Sequence, residues 1–230
     1  WETRKPTQKE SIAHYEKHGN FFAPNVRVNL LKTIPNPYVA AIHQILHGAT
    51  YIENHIDNFL DNSADFKKWL SCMPEVVPQN IRDYQQIYNE NCIYEDVSQT
   101  IRDVGAVLPD GQYIFHGGAL NFDKNRLITT RPLSTTLCPQ VAIREAEHKF
   151  KAYHSGKIEI TVIKLKSTTT KAFVFDPNLA DGGNEKEVLF SSGATLTLTH
   201  RFPVTKYYST IDPDQRKINL PSFIVMAELS

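Results

Sequence analysis

Apolar positions in the first half of the chain repeat at the spacing of a helix. Behind the start signal Asn36-Pro37, they recur every three or four residues up to about residue 101. Residues 1–35 carry mixed signals, with one short helix and one apolar run at 26–31 that suits a helix or a strand. The pattern predicts an all-helical stretch at 36–105, which we place in a helical lobe covering residues 1–106.

The pattern changes after the turn sequence Leu108-Pro109-Asp110-Gly111. Strand signals then dominate, and one helix is predicted at 139–153. Helices first and strands afterwards predict the α+β class. Gly and Pro are scattered rather than gathered into a linker, so we expect the helical lobe to pack on the sheet core at residues 107–230. The predicted strands are 112–115, 133–136, 157–166, 172–175, 187–190, 195–204 and 221–229.

Composition narrows the partner classes. The 230 residues contain 25 Lys and Arg and 25 Asp and Glu, so no basic field predicts nucleic-acid binding. No apolar run has membrane-spanning length, and no membrane partner is expected. The three cysteines lack the spacing of a zinc or redox motif and are predicted to be buried thiols. Because the sequence begins at Trp1, any targeting signal is expected to lie outside it.

The densest candidate chemistry is the sequence Gly182-Gly183-Asn184-Glu185-Lys186-Glu187, which leads into the apolar run 188–190. Residues two apart on a strand share a face, so Glu185 and Glu187 are predicted to project into one space and Lys186 away from it. Two carboxylates so close raise at least one pKa unless a cation or a hydrogen-bond donor lies beside them, and such raised values are commonest at reactive sites. The alternative is an ordinary polar strand edge.

A second candidate is His116, which ends a predicted strand and precedes Gly117 and Gly118. Glycine lets a ligand approach the backbone closely, and imidazole hydrogen-bonds hydroxyls or phosphates without a fixed charge. The alternative is a turn with a structural histidine.

A third candidate is Ser134-Thr135-Thr136, which lies shortly before Pro139 at a predicted helix start. The hydroxyls suit three roles: helix capping, hydrogen bonding at a sheet edge, or, for Ser134, holding a catalytic carboxylate. No nucleophile-elbow sequence surrounds Ser134. Elsewhere, His43 and His47 have zinc-ligand spacing but no third ligand, so no metal is expected.

In this order, the His-Gly strand end, the Ser-Thr-Thr strand and the Glu-x-Glu pair resemble the mono-ADP-ribosyltransferase family, in its arginine-specific branch. The resemblance covers about residues 108–230. It implies a split sheet core, NAD as the substrate cofactor and an arginine on a target protein as the acceptor. The family usually carries Arg at the position of His116 and Ser-Thr-Ser at 134–136, so the first strand departs from the pattern.

The resemblance also implies roles for these residues. Glu187 would stabilise the positive charge that grows on the ribose as nicotinamide leaves. Glu185 would bind the incoming guanidinium and help to remove its proton, and Ser134 would orient Glu187. The remaining NAD contacts would come from His116, Gly117, Thr135 and again Ser134.

The family context adds expectations about the whole protein. Residues 173–184 resemble a loop that closes over the site, although Phe173 suits a core strand equally well. A bacterial toxin or effector is implied, secreted and acting in the cytosol or an organelle of a host cell. The alternative from the same fold is a binding module that keeps the nucleotide cleft without turnover. A glycoside hydrolase fits poorly, because its two carboxylates flank a sugar from opposite sides.

Overall fold

The computed structural model describes residues 2–20, 25–29, 33–48, 52–86, 94–177 and 185–230. The chain forms two compact units, Trp1–Pro35 and Asn36–Ser230. In the first unit, helix α1 (Gln8–His18) accompanies an antiparallel pair of strands, β1 (Glu2–Arg4) and β2 (Val26–Asn29). The apolar run at 26–31 is therefore a strand over Val26–Asn29, and this unit is not wholly helical.

The second unit begins with the predicted helices. They are α2 (Pro37–His47), α3 (Ile52–Asn62), α4 (Ala64–Ser71), α5 (Gln79–Gln86) and α6 (Tyr94–Val104). Asn36 caps α2, because its side chain accepts a 2.9 Å hydrogen bond from the Val39 N–H. The helical pattern predicted for residues 36–105 is confirmed wherever this stretch is described.

An eight-stranded sheet forms the rest of the unit. In sheet order, β4, β9, β10, β6, β3, β5, β8 and β7 lie side by side. β10 pairs with β6 in parallel, and the other ladders of the described strands are antiparallel. The class is α+β, as predicted. The strands are β3 (Tyr113–Gly117), β4 (Arg126–Ile128), β5 (Leu133–Thr136), β6 (Ile158–Leu165), β7 (Ala172–Val174), β8 (Glu187–Phe190), β9 (Thr195–Ile211) and β10 (Lys217–Leu229).

The helix predicted at 139–153 is broken in two. Helix α7 (Pro139–Glu147) ends in a 3₁₀ turn, His148–Phe150, before helix α8 (Lys151–Ser155). Lys149 and Phe150 have φ values of +51° and +58°, the left-handed region that interrupts a right-handed helix. The break turns the basic residues of this segment toward the site described below.

Helices α5 and α6 share one of the hydrophobic core clusters with the sheet. Ile81 of α5 and Ile101 of α6 are fully buried with Phe173 and Leu189 of β7 and β8. Phe173 and its neighbour Phe175 are thus core residues, while residues 178–184 of the predicted closing loop lie outside the described residues. The domain boundary predicted at residue 106 falls within the second unit and stays a prediction.

The cysteines differ in their exposure. Cys138 is buried as predicted, but Cys72 is exposed, and Cys92 lies outside the described residues. Among the helices that the structure describes, none combines the length and apolar character needed to cross a bilayer.

Candidate functional site

The three sequence candidates meet at one cavity of about 200 Å³. We call it the site cavity, and the predicted residues that line it are His116, Gly117, Ser134, Thr135, Glu185 and Glu187. They come from β3, β5, and the turn and strand at β8. Because β3 pairs with β5 and β5 with β8, sheet order brings these distant segments together.

Glu187 is held by Ser134 across the β5–β8 ladder. The Ser134 hydroxyl donates a 2.6 Å hydrogen bond to Glu187 Oε1. Of the three roles open to this serine, the structure has the one in which it orients the carboxylate. Thr136 Oγ1 accepts a 3.1 Å hydrogen bond from the Cys138 N–H just before α7, but Cys138 is the N-cap residue and no side chain of the described residues caps this helix.

A residue that the sequence analysis missed completes the hold on Glu187. Gln85, in the last turn of α5, donates from Nε2 to Glu187 Oε2 and lines the site cavity. Nothing local in the sequence marks it, because a polar residue on the flank of an amphipathic helix normally faces solvent. Only the packing of α5 against β7 and β8 brings the amide to the carboxylate.

The Glu187 carboxyl is buried, with 5% of its surface exposed. Burial raises its pKa from the ordinary 4.5 to about 8. The negative charges of Glu185 and Glu145 add to the rise, and the hydrogen bonds from Ser134 and Gln85 oppose it. Protonation of Glu187 therefore changes near neutral pH, which is typical of groups that take part in chemistry.

Glu185 lines the site cavity from the turn before β8 rather than from the strand itself. The strand begins at Glu187, and Lys186 between the two has a left-handed φ of +50°. The predicted sharing of one cavity by Glu185 and Glu187 is correct, but strand alternation is not its cause. The pKa of the Glu185 carboxyl is raised, first because the cavity wall removes water from it and then by the charge of Glu145.

Lys186 points away from the site cavity, as predicted. Its ion pairs with α3 hold the Glu185–Glu187 turn in place. Lys186 is 4% exposed, and its Nζ lies 3.1 Å from Glu53 Oε1 and 2.9 Å from Asp57 Oδ1 on α3. Glu53 also binds Arg144 of α7, with 2.8 Å between Nη1 and Oε2. Helix α3 thus ties the Glu185–Glu187 turn to α7.

Two hydroxyls of β5 support the same turn. Thr136 Oγ1 donates to the Glu185 carbonyl at 2.6 Å, and Thr135 Oγ1 donates to the Val188 carbonyl at 2.6 Å. Thr135 was predicted to contact the cofactor. Its hydroxyl proton is used within the sheet, which leaves only the acceptor side of the oxygen for a ligand.

His116 is half-buried beside Ser134. Its Nδ1 lies 2.8 Å from the Ser134 carbonyl, and since a carbonyl only accepts, Nδ1 carries the proton. Burial lowers the pKa of the imidazole, and the nearby charges of Lys151 and Arg131 lower it further. In this neutral form Nε2 is a hydrogen-bond acceptor.

Gly117 is glycine for a packing reason. A Cβ at this position would lie 1.8 Å from the Ala142 carbonyl oxygen of α7. The glycine therefore allows α7 to press against β3, whatever it also contributes to ligand approach.

Cationic side chains from the helix break also line the site cavity. Lys149 and Lys151 follow α7 at this break, with His148 beside them. Glu145 lines the cavity as well and pairs with Lys151 at 3.5 Å. Arg131 and Asn121 are exposed and do not line the site cavity.

No protein-family profile matches the sequence, and no curated protein does. The solved structures that match this chain include bacterial ADP-ribosyltransferase toxins. Vis from Vibrio splendidus is 12% identical, with a TM-score of 0.42 over 82% of this chain and 90% of its own. Plx2a from Paenibacillus larvae is 12% identical, with a TM-score of 0.47 over 78% and 96%.

BECa, an ADP-ribosylating toxin of C. perfringens solved with NADH, is 15% identical. Its TM-score is 0.45 over 79% of this chain and 49% of that chain. Each of these three proteins is described as an ADP-ribosyltransferase or an ADP-ribosylating toxin. At such identities and TM-scores the likeness carries no argument about activity, so the functional conclusion depends on the geometry of the site cavity.

Proposed function

We propose that the protein transfers ADP-ribose from NAD to an arginine side chain of a target protein and releases nicotinamide. The observation that carries this proposal is the oriented, buried carboxylate of Glu187 with a second carboxylate, Glu185, beside it in one cavity. The first suits a ribose that becomes positively charged, and the second suits a cationic acceptor.

The first step is the departure of nicotinamide. The bond between the ribose C1′ and the nicotinamide nitrogen breaks, its electron pair leaves with nicotinamide, and the ribose becomes oxocarbenium-like. An ionised Glu187 stabilises this positive charge and accepts a hydrogen bond from a ribose hydroxyl. Ser134 and Gln85 hold the carboxylate in place before the reaction begins, so little reorganisation is needed.

The second step forms the new bond. A guanidinium is protonated at any physiological pH and is not a nucleophile until it loses a proton. Glu185 binds the guanidinium and accepts that proton as the nitrogen attacks C1′. The raised pKa of Glu185 makes it a better base than an ordinary glutamate.

The other end of NAD carries a diphosphate and needs positive charge or hydrogen-bond donors. Lys149 and Lys151 are the cations that line the site cavity, and we assign the diphosphate to them in this proposal. His116 accepts a hydrogen bond from a ribose hydroxyl at Nε2. An ionised phosphate has no proton to donate to this atom, so it is a poorer partner for His116. This assignment accounts for a histidine where the family usually carries arginine.

The same proposal covers the protein as a whole. The partner is a protein with an accessible arginine, and the protein acts as a toxin or effector that a bacterium secretes into a host cell. The helical lobe at residues 1–106 serves the core at 107–230 by supplying Gln85 and the acidic residues of α3.

One observation favours a second candidate, a binding module without turnover. A Glu187 carboxyl with a pKa of about 8 is largely protonated at neutral pH, and a protonated carboxyl stabilises a cation poorly. Such a module would bind NAD and release no nicotinamide.

One experiment separates these candidates. The purified protein is incubated with NAD and agmatine, a small guanidinium compound, at several pH values from 6 to 9. Nicotinamide and ADP-ribosyl-agmatine are measured by chromatography. The enzyme predicts both products, with both abolished in Glu187→Gln and unchanged in the exposed control Glu75→Gln. Binding of NAD without nicotinamide release would establish the module.

A further inference from the structure

Two side chains of the described residues hydrogen-bond the Glu187 carboxylate, and Gln85 is the one that comes from the helical lobe and not from the sheet. Its side chain is half-buried and lines the site cavity, and its Nε2 donates to Glu187 Oε2. Ser134 donates to the other oxygen, Oε1. Each oxygen of the carboxylate therefore receives one protein donor.

Helix α5 is held firmly enough to place this amide. Ile81, one turn before Gln85, is fully buried in the core with Phe173 and Leu189. Asn80 donates to Thr100 Oγ1 of α6 at 2.7 Å, and the Tyr84 hydroxyl donates to the Pro132 carbonyl at 2.8 Å. These contacts fix the helix on both sides of its last turn, so the position of the Gln85 amide is set by the fold.

We propose that Gln85 is a positioning residue for Glu187, and that through it helix α5 forms part of the reactive site. A side-chain amide gives the carboxylate a donor without adding a charge. Each carboxylate oxygen can accept about two hydrogen bonds, so Oε2 keeps one site for a ribose hydroxyl. A lysine here would also hold the carboxylate, but it would compensate the negative charge that the reaction needs.

The donor also affects when Glu187 is ionised. A hydrogen bond to the charged form favours that form, and the one from Gln85 opposes the effect of burial. Among the described residues, the charged or titratable groups that share the cavity with Glu187 come from four places. They are Glu185 in the turn, Glu145 and His148 of the α7 segment with Lys149 and Lys151 after it, His116 on β3, and Tyr84 on α5. Gln85 is uncharged, so its removal changes the hydrogen bonding of Glu187 and leaves this set of charges unaltered.

The catalytic consequence rests on the proposed function, but the position of Gln85 does not. The direct test is a titration of the Glu187 carboxyl by NMR, on protein labelled with ¹³C at the glutamate carboxyl groups. The Glu187 signal is identified by its absence in Glu187→Gln. The titration is compared between the wild type, Gln85→Ala and Gln85→Met, which keeps the length of the side chain. Gln86→Ala, an exposed glutamine on the same helix, is the matched control.

We expect the midpoint of the Glu187 titration to rise by about one pH unit in both Gln85 variants, the change expected when a carboxylate loses one good donor. Gln86→Ala should titrate as the wild type does. Nicotinamide release should move to higher pH by the same amount in the Gln85 variants, with circular dichroism spectra unchanged. An unshifted titration in folded Gln85→Met would overturn the proposal.

The two proposals fail in different ways. If the wild type binds NAD but releases no nicotinamide at any pH, the proposed transferase activity is wrong, while the NMR titration still decides the role of Gln85. If the wild type is active and the Gln85 variants titrate normally, the transferase proposal stands and Gln85 merely fills space.

Discussion

Ser134 lies diagonally across the β5–β8 ladder from Glu187. In the register of this ladder Ser134 pairs with Leu189 and Thr136 pairs with Glu187, so Ser134 and Glu187 are on one face. Diagonal neighbours on antiparallel strands are within reach of each other's side chains. A slip of one residue in the pairing of β5 with β8 would turn Ser134 to the opposite face of the sheet. The hydrogen bond therefore depends on the apolar packing that fixes the register of these two strands.

Removing the Ser134 hydroxyl should slow the reaction without unfolding the protein. In Ser134→Ala we expect nicotinamide release to fall about 10- to 100-fold, the value of a hydrogen bond to a charged group. The pKa of Glu187 should rise further, because Ser134 opposes the effect of burial. The measurement is the pH profile of nicotinamide release, which should shift to higher pH. A loss of activity that is equal at every pH would contradict this role.

The pKa of Glu187 predicts a dependence of stability on pH. Between pH 4.5 and about 8 the folded protein holds a proton that the unfolded chain releases. The stability from protonated Glu187 is therefore complete below pH 4.5 and is lost as pH rises through 8. Each unit of raised pKa corresponds to about 1.4 kcal/mol. Glu187→Gln should thus gain stability relative to the wild type from pH 5 to pH 8, as urea unfolding at both pH values will measure.

Glu185 should control the acceptor rather than the first bond. We expect Glu185→Gln to keep most nicotinamide release into water and to lose transfer to agmatine, because the amide cannot take the guanidinium proton. Both products are measured in the same incubation. An equal loss of nicotinamide release and of transfer to agmatine would mean that Glu185 and Glu187 do not have the separate roles proposed for them.

Lys186 should matter for stability and activity together, although it points away from the site cavity. Lys186→Met leaves Glu53 and Asp57 without the cation between them, and we expect a loss of about 1–3 kcal/mol in the free energy of unfolding. The control is Lys166→Met, which removes the more exposed pair with Glu228 and should cost less than about 0.5 kcal/mol. Similar losses of unfolding free energy in both variants would show that the buried ion pairs of Lys186 stabilise the protein no more than an exposed pair does.

Gly117 distinguishes a packing role from a ligand role. An added Cβ would collide with the Ala142 carbonyl, so Gly117→Ala should lower the free energy of unfolding by about 1–3 kcal/mol. Thermal and urea unfolding measure this without any substrate. Normal stability with a raised KM for NAD would mean instead that the glycine serves the approach of the dinucleotide alone.

The sequence predicted which segments line the site cavity. It predicted less well the backbone turn and the long-range contacts that hold their side chains in place. The strands at Leu133–Thr136 and Glu187–Phe190 have the predicted bounds. For the second strand the local signal is strong, because the apolar run 188–190 follows the turn residues Gly182-Gly183-Asn184. Glu185 was expected on the strand but precedes it. The left-handed Lys186 that makes this turn needs support from α3, which no local pattern encodes.

Long-range contacts account for the other differences. Gln85 reaches Glu187 only because α5 packs on β7 and β8. The break at Lys149 and Phe150 occurs without glycine or proline, so the helical pattern runs through it unmarked. The strand β4 escaped prediction because its three residues begin with the charged Arg126 and form no apolar run, whereas the equally short β7 is wholly apolar.

The position of β10 has a consequence for biosynthesis. Among the strands that the structure describes, this one is translated last, yet it lies between β9 and β6 and joins the two portions of the sheet. At ribosomal rates of about 5–20 residues per second, the edge of β6 waits several seconds for this neighbour. An unpaired strand edge attracts other strands, so we expect wrong strand pairing of the nascent polypeptide to be most frequent during that interval.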